Sequence, residues 1–559
     1  MSEIQSRLNV LRQAVHRLGA NAFYCALSDA HLSEYIQEAD QLPTFLSGFT
    51  GSNAKLLVTD DEALLWTDSR YWEQAGNELD GSGIVLMKEG AAETPSASDW
   101  LKEKKKTTPV RLLAPLSTVS LSAYEALKES VTAILDFDDK AINGVWPNRE
   151  PRVTNPLYIH RASSVSASDK LKRLQAFVSQ EEKSRRNAKL LLTRLDDIAW
   201  LTNLRGSDIA FNPVFLSWAL VGSNSATIFL DQAVLSDDIQ SHLIQSGWSI
   251  ADYGAIDEAL CELVDSDISV LAKKSDLNAK LFIEIEKAWV ECKHPVALWK
   301  SIKTPEEIAG LKRIMKADGK ALEDFIDEVK ARLKSNEVLT ENDAVDILHA
   351  KRSAIPGFIG ESFATIAAVN ANAALPHYEP KPGQGAKITP PCILLVDSGA
   401  HYDLGTTDTT RVWFLGDTKD YPAEKLKALK KDYRAVYEAM KVLSEATFKP
   451  GTTGIELDKI VRGPIHAIGA DFGHGTGHGI GLTLNVHETP PNISPREREG
   501  TMTPFEPGMI VSDEPGIYRP GQWGIRIENM LVCVEKSEGL LGFETLTQCE
   551  IDPILLEEK

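Results

Sequence analysis

The sequence predicts a mixed α/β (α+β) protein built from several domains. With 559 residues, 43% of them hydrophobic, the chain is long enough for three or four domains that each bury their own core. Short apolar runs bounded by glycine and proline, such as residues 393–396, predict buried strands. Amphipathic runs such as MSEIQSRLNVLRQAVHRLG at the N-terminus predict helices beside them.

Two local patterns predict the domain boundaries. The polar, proline-marked stretch WPNREP at residues 146–151 predicts the first boundary, so the first domain is expected over residues 1–150. KTPEE predicts the start of a helix, with Thr304 as its cap, Pro305 at the first helical position and Glu307 closing a capping box. We therefore expect a second domain over residues 151–302 and a third over 303–559.

Charge and cysteine usage exclude several classes of protein. A net charge of −20 argues against nucleic acid or an anionic membrane surface as a partner. The sequence has no apolar stretch of membrane-spanning length, and its N-terminus lacks the apolar core of a signal peptide. The six cysteines include no CxxC pair, which predicts reduced and mostly buried thiols. Together these features predict a cytoplasmic protein.

Five residues in the last third of the chain have the residue types of a two-metal hydrolytic site. They are four carboxylates and one imidazole: Asp397, Asp408, His478, Glu514 and Glu528. Such an oxygen-rich set suits Mn²⁺, Co²⁺ or Zn²⁺ better than a thiolate-binding ion, and its formal charge of about −4 would balance two divalent cations. Any single acidic residue here would most often be a solvated surface charge. Because every member lies within or at the end of an apolar run, we predict that the set binds metal.

The segments around the first ligands predict short strands. In CILLVDSGAHYDLGTTDTTRVWF an apolar run ends at Asp397, and a turn at residues 403–405 would return the chain so that Asp408 lies on an adjacent strand. In DFGHGTGHGIG two histidines spaced four apart would share a helix face, but the interleaved glycines argue for a tight turn and a strand edge.

The last two ligands also follow or lie within apolar runs. MIVSDEPGIY predicts a strand that leads into Glu514 and then turns at a Pro-Gly pair. GIRIENMLVCV predicts one alternating strand that places Arg526, Glu528 and Met530 on the same face.

The segments DSGAHYDLGTTDTTR, GHGTGHGIG, NVHE, SDEPGIY and GIRIEN resemble the signature segments of the pita-bread metallopeptidases, and most of all those of the Xaa-Pro aminopeptidases (aminopeptidase P). PHYEP around His377 belongs to the same pattern. Upstream, FLSGFTGSNAKLLVTDDEALLWTDSRY and LDDIAWLTNLRGSDIAFNPVF resemble the two creatinase-type N-terminal domains of the long form of that family. Both upstream segments show an apolar strand run followed by a Gly-Ser turn, which indicates an internal duplication.

The resemblance implies two creatinase-type domains followed by a pita-bread catalytic domain, and it implies a role for each ligand. Asp397 would bind one metal, His478 and Glu514 the other, while Asp408 and Glu528 would bridge both. Glu514 would also move a proton to the leaving proline nitrogen. Manganese is the ion that the resemblance implies, with Zn²⁺ and Co²⁺ as alternatives.

The resemblance also implies a substrate site beside the metals. His377 and His487 would be catalytic, donating hydrogen bonds to the peptide carbonyl and to the tetrahedral intermediate. His474 and Arg526 would lie behind the ligands or beside the substrate proline. For each of these four residues the alternative is a structural hydrogen bond beneath the metals.

The implied activity is hydrolysis of the bond between an N-terminal residue and a following proline, by a hydroxide held between the two metals. The implied partners are peptides with proline in second position. A prolidase-like Xaa-Pro dipeptidase is an alternative that comparing a dipeptide with a tripeptide would separate. A non-catalytic binding protein is a third alternative, which the presence of all five ligands opposes.

The sequence departs from the family at two places. The long form usually continues into a helical segment that packs its homodimer, whereas this sequence ends at IDPILLEEK. HRASSVSASDKL lacks the tyrosine-glycine pattern usual at the start of the second domain. A homodimer is therefore expected only from the resemblance, and neither departure changes a site motif.

Overall fold

The computed structural model describes residues 2–184 and 187–557. The chain falls into two compact units. The first comprises Met1–Ile159, Val165–Ala210 and Val214–His294, and the second comprises His160–Ser164, Phe211–Pro213 and Pro295–Lys559. Within the described ranges, no helix is both long and apolar enough to cross a bilayer.

The first unit contains two six-stranded mixed sheets. Its strands are β1 Ala22–Ala26, β2 Lys55–Thr59, β3 Ala63–Thr67, β4 Val85–Lys88, β5 Arg111–Ala114, β6 Ala133–Asp136, β7 Tyr158–Ile159, β8 Ala188–Leu192, β9 Leu204–Arg205, β10 Ser217–Val221, β11 Ala226–Leu230, β12 Ser249–Asp252, β13 Ser269–Ala272 and β14 Trp289–Glu291. Its helices are α1 Glu3–Arg17, α2 Leu42–Ser47, α3 Trp72–Glu78, α4 Ala97–Lys105, α5 Leu121–Ser130, α6 Asp139–Val145, α7 Ala167–Glu181, α8 Leu195–Thr202, α9 Asp237–Gln245, α10 Ile256–Asp265 and α11 Ala279–Ile285.

The two sheets have the same topology. Their strand orders are β4-β3-β2-β1-β5-β6 and β12-β11-β10-β8-β13-β14. In each, the inner strand (β1 or β8) pairs antiparallel with one neighbour and parallel with the other, and the remaining pairs also match in direction. The shared topology supports the internal duplication that the sequence indicates.

The apolar runs that precede the two Gly-Ser turns are helices, so the prediction of strands there is wrong. They form α2 and α8, and each ends at a residue with left-handed backbone, Gly48 at φ 77° and Asn203 at φ 52°. A left-handed residue is a common end of a helix because it lets the next N–H groups reach the last carbonyls. The repeated theme is therefore a short helix followed by a turn.

The second unit carries the candidate site. Its strands are β15 Leu339–Thr340, β16 Phe358–Glu361, β17 Ile366–Val369, β18 Lys387–Ile388, β19 Cys392–Ser398, β20 Ala400–Tyr402, β21 Gly405–Thr406, β22 Thr409–Leu415, β23 Thr447–Phe448, β24 Gly477–Gly479, β25 Glu488–Ile493, β26 Ile510–Asp513, β27 Gly516–Arg519, β28 Trp523–Arg526, β29 Asn529–Glu535 and β30 Leu541–Thr545. Its helices are α12 Val296–Ser301, α13 Pro305–Lys334, α14 Glu341–Ser353, α15 Ala423–Ser444, α16 Gly454–Val461, α17 Gly463–His466 and α18 Glu499–Met502.

Helix α13 begins where the sequence predicts. Thr304 Oγ1 accepts a hydrogen bond from Glu307 N (3.3 Å), and the Glu307 carboxylate accepts one from Thr304 N (3.0 Å), which closes the capping box. Helix α1 likewise confirms that the amphipathic N-terminal run forms a helix.

Two sheets of this unit position the site. The three-stranded sheet β17-β19-β22 is antiparallel, and alternate side chains of β19 enter two cores: Leu394 and Val396 pack with α13 and α14, while Ile393 and Leu395 pack with α15. The six-stranded sheet has the order β23-β30-β29-β26-β24-β25. Because β19 is buried on both faces, its apolar sequence is continuous rather than alternating.

GIRIENMLVCV does not form one strand, so that prediction is wrong. It forms the end of β28, which pairs with β27, and then β29, which pairs with β26 and β30. Between them the Glu528 N–H donates to Thr410 O (3.1 Å), so the chain passes from one sheet to the other at residues 527–528. The break turns Glu528 toward the start of β22, where Thr410 lies.

All six cysteines lie in the described part of the chain and are free thiols, and only Cys261 is exposed. This agrees with the reduced, mostly buried thiols that the sequence predicts.

Candidate metal and substrate site

Each of the five predicted ligands lies within a strand or directly beside the end of one. Asp397 lies near the end of β19, and Asp408 immediately precedes β22, its antiparallel neighbour. His478 is the middle residue of β24, Glu514 follows β26 and Glu528 precedes β29. Rigid strands therefore fix the backbone position from which each side chain extends.

His478 lies at the centre of the cluster. Its Nε2 is 3.5 Å from Asp408 Oδ2 and 3.4 Å from Glu514 Oε1. Asp408, His478 and Glu528 each offer one ligand atom, and those three atoms lie within 4.8 Å of one another. This geometry suits a single ion held by three protein ligands.

The backbone around His478 fixes the tautomer of its ring. Nδ1 lies 2.9 Å from Gly479 O, an acceptor, so Nδ1 carries the proton. The neutral ring then presents a lone pair on Nε2, toward the carboxylates, which is the arrangement typical of a metal-binding histidine. The glycines allow this close approach, because a Cβ at Gly477 would lie 1.9 Å from Ser512 O.

Asp397 joins the cluster through Arg526. The Arg526 guanidinium donates to Asp397 Oδ2 through Nε (3.2 Å) and Nη2, while Asp397 Oδ1 is buried and has no hydrogen-bond partner among the described residues. A buried carboxylate oxygen without a donor is costly unless something else neutralises it. A cation at this oxygen would do so.

Two residues of β22 donate hydrogen bonds to Glu528. Thr410 Oγ1 donates to Glu528 Oε2 (2.7 Å), and Arg411 donates to the Glu528 carbonyl (2.6 Å). Thr410 lies directly opposite Asp397 across the β19–β22 pair. The same strand pair therefore sets the positions of Asp397, Asp408 and Glu528.

The protonation of the cluster reflects burial and crowding of like charge. Burial, followed by repulsion from Asp408 and Asp397, raises the pKa of Glu528 well above its ordinary range. Burial also raises the pKa of Asp408, against the opposing effect of His478. Burial alone would lower the pKa of His478, but Asp408 and Glu514 outweigh it and raise that pKa to about 9. Without metal the cluster therefore holds protons that divalent cations would replace.

The four predicted substrate-site residues surround the ligands. His487 packs edge-on against His478, with ring centroids 4.4 Å apart. His474 Nδ1 lies 3.9 Å from Glu514 Oε2. Arg526 binds Asp397 as described and also donates from Nη2 to Pro376 O (3.3 Å), which precedes the half-buried His377. The structure therefore links eight of the nine predicted residues through direct contacts, and it places His377 next to Pro376, whose carbonyl Arg526 binds.

Tyr518 is a member of this site that sequence reasoning missed. Arg526 Nη1 donates to its hydroxyl (2.7 Å), and that hydroxyl lies 2.7 Å from His474 Nε2. Because His474 Nδ1 donates to Gly475 O (2.7 Å), Nε2 must accept, so Tyr518 donates to it. Burial, the largest cause, lowers the pKa of His474 to about 4. Tyr518 lies within the segment SDEPGIY, four residues after Glu514, and this proximity in sequence is the signal that points to it.

The donor set fits two divalent cations. It supplies four carboxylates and an imidazole with the correct tautomer, and one of those carboxylates has an orphaned buried oxygen. The ligands do not choose among Mn²⁺, Zn²⁺ and Co²⁺.

Three family profiles cover most of the chain. Metallopeptidase family M24 matches residues 309–535, and two profiles of the creatinase/prolidase N-terminal domain match residues 7–142 and 148–307. The ligands, the three histidines and Arg526 all lie within the first of these matches.

Relatives of known name match over the whole chain. A probable Xaa-Pro aminopeptidase P of Chaetomium globosum is 36% identical, over 99% of this chain and 92% of its own length. The crystal structure of the X-prolyl aminopeptidase of Caenorhabditis elegans, described as a cytosolic enzyme with a di-nuclear active site, superposes with a TM-score of 0.92 at 30% identity and covers 100% of this chain and 93% of that one.

A solved dipeptidase matches only part of the chain. The Xaa-Pro dipeptidase of Bacillus anthracis gives a TM-score of 0.53 at 26% identity, covering 69% of this chain and 99% of its own. Taken with the full-length matches and the assembled ligand set, these similarities show that the chain belongs to the Xaa-Pro aminopeptidases of metallopeptidase family M24, with creatinase-type N-terminal domains and a pita-bread catalytic domain.

Proposed function

We propose that this chain releases the N-terminal residue from peptides that carry proline in second position, using two divalent metals. The observation that carries the proposal is the cluster centred on His478, with carboxylate oxygens of Asp408 and Glu514 3.5 and 3.4 Å from its Nε2. The full-length match to aminopeptidases, against a partial match to a dipeptidase, favours the aminopeptidase over the prolidase-like alternative.

The proposed ligands divide between two ions. Asp397 would hold one, His478 and Glu514 the other, and Asp408 and Glu528 would lie between them. When bound, the ions supply Lewis acidity toward the scissile carbonyl and lower the pKa of the attacking water. Manganese is the proposed ion because the family resemblance implies it, and the same ligands would also suit Zn²⁺ or Co²⁺.

Glu514 is proposed to move the proton of the reaction. Its side chain is 19% exposed, more than that of Asp408 at 5% or Asp397 at 12%, and it lies between His478 and His474. It can therefore reach both the attacking water and a substrate that enters from solvent. It would accept the proton of the water and return it to the proline nitrogen, which must be protonated to leave.

The histidines are proposed to bind the reacting carbonyl. His487 stands edge-on to His478, close enough to the ligands to donate to an oxygen that gains negative charge. His377 lies on the loop that Arg526 attaches to the ligands through Pro376 O. Neutral His474, together with Arg526 and Tyr518, would form the wall beside the substrate proline, whose ring offers no N–H for recognition.

Hydrolysis of Arg-Pro-Pro and of Arg-Pro, compared side by side after chelation and after return of Mn²⁺, Zn²⁺ or Co²⁺, tests the activity. We expect free arginine from the tripeptide only when metal is returned. Cleavage of the dipeptide alone would instead make the chain a prolidase-like enzyme. Absence of cleavage with two metals bound per chain would contradict the proposal.

Three further proposals concern the domain bounds, the cellular location and the oligomeric state. The domain bounds 1–150, 151–302 and 303–559 are proposed, supported by the two matching sheets and the three profile matches. A cytoplasmic location is proposed from the free thiols and the cytosolic nematode enzyme. A homodimer is proposed from the family resemblance, and light scattering of the purified protein tests it.

A further inference from the structure

The loop that carries His377 is held by a buried carboxylate that lies outside the metal cluster. Glu341 is the first residue of α14 and is 0% exposed. Its two oxygens accept four hydrogen bonds, from Val369 N (2.8 Å), Asn372 Nδ2 (2.9 Å), Tyr378 Oη (2.7 Å) and Ala386 N (2.7 Å). All four donors belong to the stretch of chain on either side of His377.

Glu341 is not needed to cap its own helix. Thr340 is the cap of α14: its Oγ1 accepts from Asp343 N (3.3 Å), and the Asp343 carboxylate accepts from Thr340 N (2.7 Å). Ionised groups are rarely buried without several hydrogen-bond donors. Because all four donors to the Glu341 carboxylate come from one loop, the carboxylate fixes that loop in place.

Tyr378 completes the link to His377. Its hydroxyl donates to Glu341 Oε2 and accepts from Asn372 Nδ2 (3.0 Å), which forms a closed ring of three side chains. Its backbone N–H donates to Leu375 O (3.1 Å), across the turn that contains His377. The residue that follows His377 is therefore attached to Glu341 by its side chain and to its own turn by its backbone.

The residue that precedes His377 is attached from the opposite side. Pro376 O accepts from Arg526, on β28. The short 3₁₀ helix Asn370–Ala374 that leads into the turn lies directly on β28, since a Cβ at Gly524 would fall 1.7 Å from Ala373 O. His377 thus lies between two anchors, one to the metal cluster and one to Glu341.

We propose that Glu341 and Tyr378 are positioning residues that hold His377 in the orientation needed to donate to the substrate carbonyl. This inference rests on the role given to His377 in the proposed function. Neither residue is among the proposed metal ligands or substrate contacts. They act by removing freedom from the backbone on the C-terminal side of His377, and a small misplacement of a catalytic donor is enough to reduce a rate markedly.

Tyr378→Phe is the variant that tests the inference. It removes one hydroxyl and leaves Glu341 with three of its four donors, so the fold of the loop keeps most of its support. We expect kcat for Arg-Pro-Pro to fall by roughly tenfold to a hundredfold, KM to change by less than about twofold, and the metal content to stay at the wild-type value. Tyr433→Phe is the matched control, because it removes a buried hydroxyl that donates to Asp552 O (3.0 Å), and we expect it to leave kcat unchanged.

A double-mutant cycle separates positioning of His377 from general support of the fold. In a His377→Ala background, Tyr378→Phe should lower kcat no further, because the side chain that it positions is already absent. Equal reductions in both backgrounds would overturn the inference, as would wild-type kcat in Tyr378→Phe when His377→Ala is impaired. Wild-type kcat in His377→Ala would instead overturn the role proposed for His377, and the inference with it.

Discussion

His478 Nε2 lies 3.5 Å from Asp408 Oδ2, although His478 lies in one sheet and Asp408 directly precedes a strand of another. His478 reaches this position from β24, while Asp408 reaches it from the end of the hairpin that precedes β22. Nδ1 of the same ring is occupied by Gly479 O, so Nε2 faces the carboxylate whatever its charge. In the protonated ring the Nε2 proton faces the Asp408 carboxylate, and we propose that a divalent cation would replace that proton.

Removal of Asp408 should remove both metal binding and activity. The Asp408→Ala variant loses the carboxylate proposed to lie between the two ions, so neither ion keeps its full set of ligands. We expect the metal content per chain to fall from two toward zero and turnover of Arg-Pro-Pro to fall below detection. Metal analysis after gel filtration measures the first, and release of arginine measures the second.

Asp403→Ala is the control for that variant. Asp403 lies at the exposed turn of the same hairpin, so its loss changes the charge of the segment equally without touching the cluster. Two metals and full activity are expected. Full activity in Asp408→Ala would contradict the proposed site.

The metal-free fold should lose stability as the pH rises. Asp408, Glu528 and His478 all have raised pKa values, so each binds its proton more tightly in the folded protein than in the unfolded chain. The contribution of His478 is complete below its ordinary value of 6.5 and is lost as the pH rises through about 9. Thermal unfolding of chelated protein between about pH 6 and pH 9 should therefore show a falling midpoint.

Metal should reverse that trend. Cations compete with protons for the same atoms, so metal affinity rises over the same interval and the midpoint of the Mn²⁺-loaded protein should fall less. A metal-free midpoint that rises from pH 6.5 to 9 would show that the protons of the cluster do not stabilise the fold.

Replacement of His487 should reduce the rate and leave the metals in place. His487 contacts the ring of His478 and is proposed to donate to the developing oxyanion, so His487→Ala should lower kcat by roughly 10²–10³, the usual effect of removing one such donor. His466→Ala is the control, because His466 lies exposed on α17 of the same unit. Loss of metal from His487→Ala would show that the residue supports the ligands rather than the substrate.

The position of each proposed ligand beside a strand could be predicted from the sequence, because each one adjoins a run of residues with a local strand pattern. The sequence also predicted α13 from one capping box, since Thr304, Pro305 and Glu307 interact within a single turn. Such local signals depend on neighbours in the chain and need no knowledge of the fold.

The errors and omissions have a different origin. The strand predicted through Arg526 and Glu528 is broken because Glu528 pairs with Thr410 instead of continuing beside β27, and periodicity does not reveal a change of sheet. The link between Glu341 and Tyr378 joins two segments whose sequences carry no mutual signal. Contacts of this kind are decided by the tertiary fold.

The buried pair of Lys303 and Glu488 offers a test of how the His487 segment is supported. Lys303 Nζ binds Glu488 Oε1, and the two side chains are 2% and 1% exposed. Glu488 follows His487 and lies opposite Gly479 in the β24–β25 pair, so the ion pair fixes the backbone beside both His487 and His478. Removing Lys303 takes away a cation that contacts the buried Glu488 carboxylate. Lys303→Met should therefore lower the free energy of unfolding by about 3–5 kcal/mol.

A double variant and a surface variant test whether the buried charge of Glu488 causes the loss of stability expected in Lys303→Met. Lys303→Met combined with Glu488→Leu removes both charges and should recover most of the lost stability, whereas Lys312→Met, which breaks an exposed pair with Glu544, should change it by less than about 1 kcal/mol. Residual activity after incubation in increasing urea measures all three. If Lys303→Met behaves like Lys312→Met, the pair contributes nothing to the support of the site. If the double variant is as unstable as the single one, lost packing rather than an uncompensated charge explains the effect.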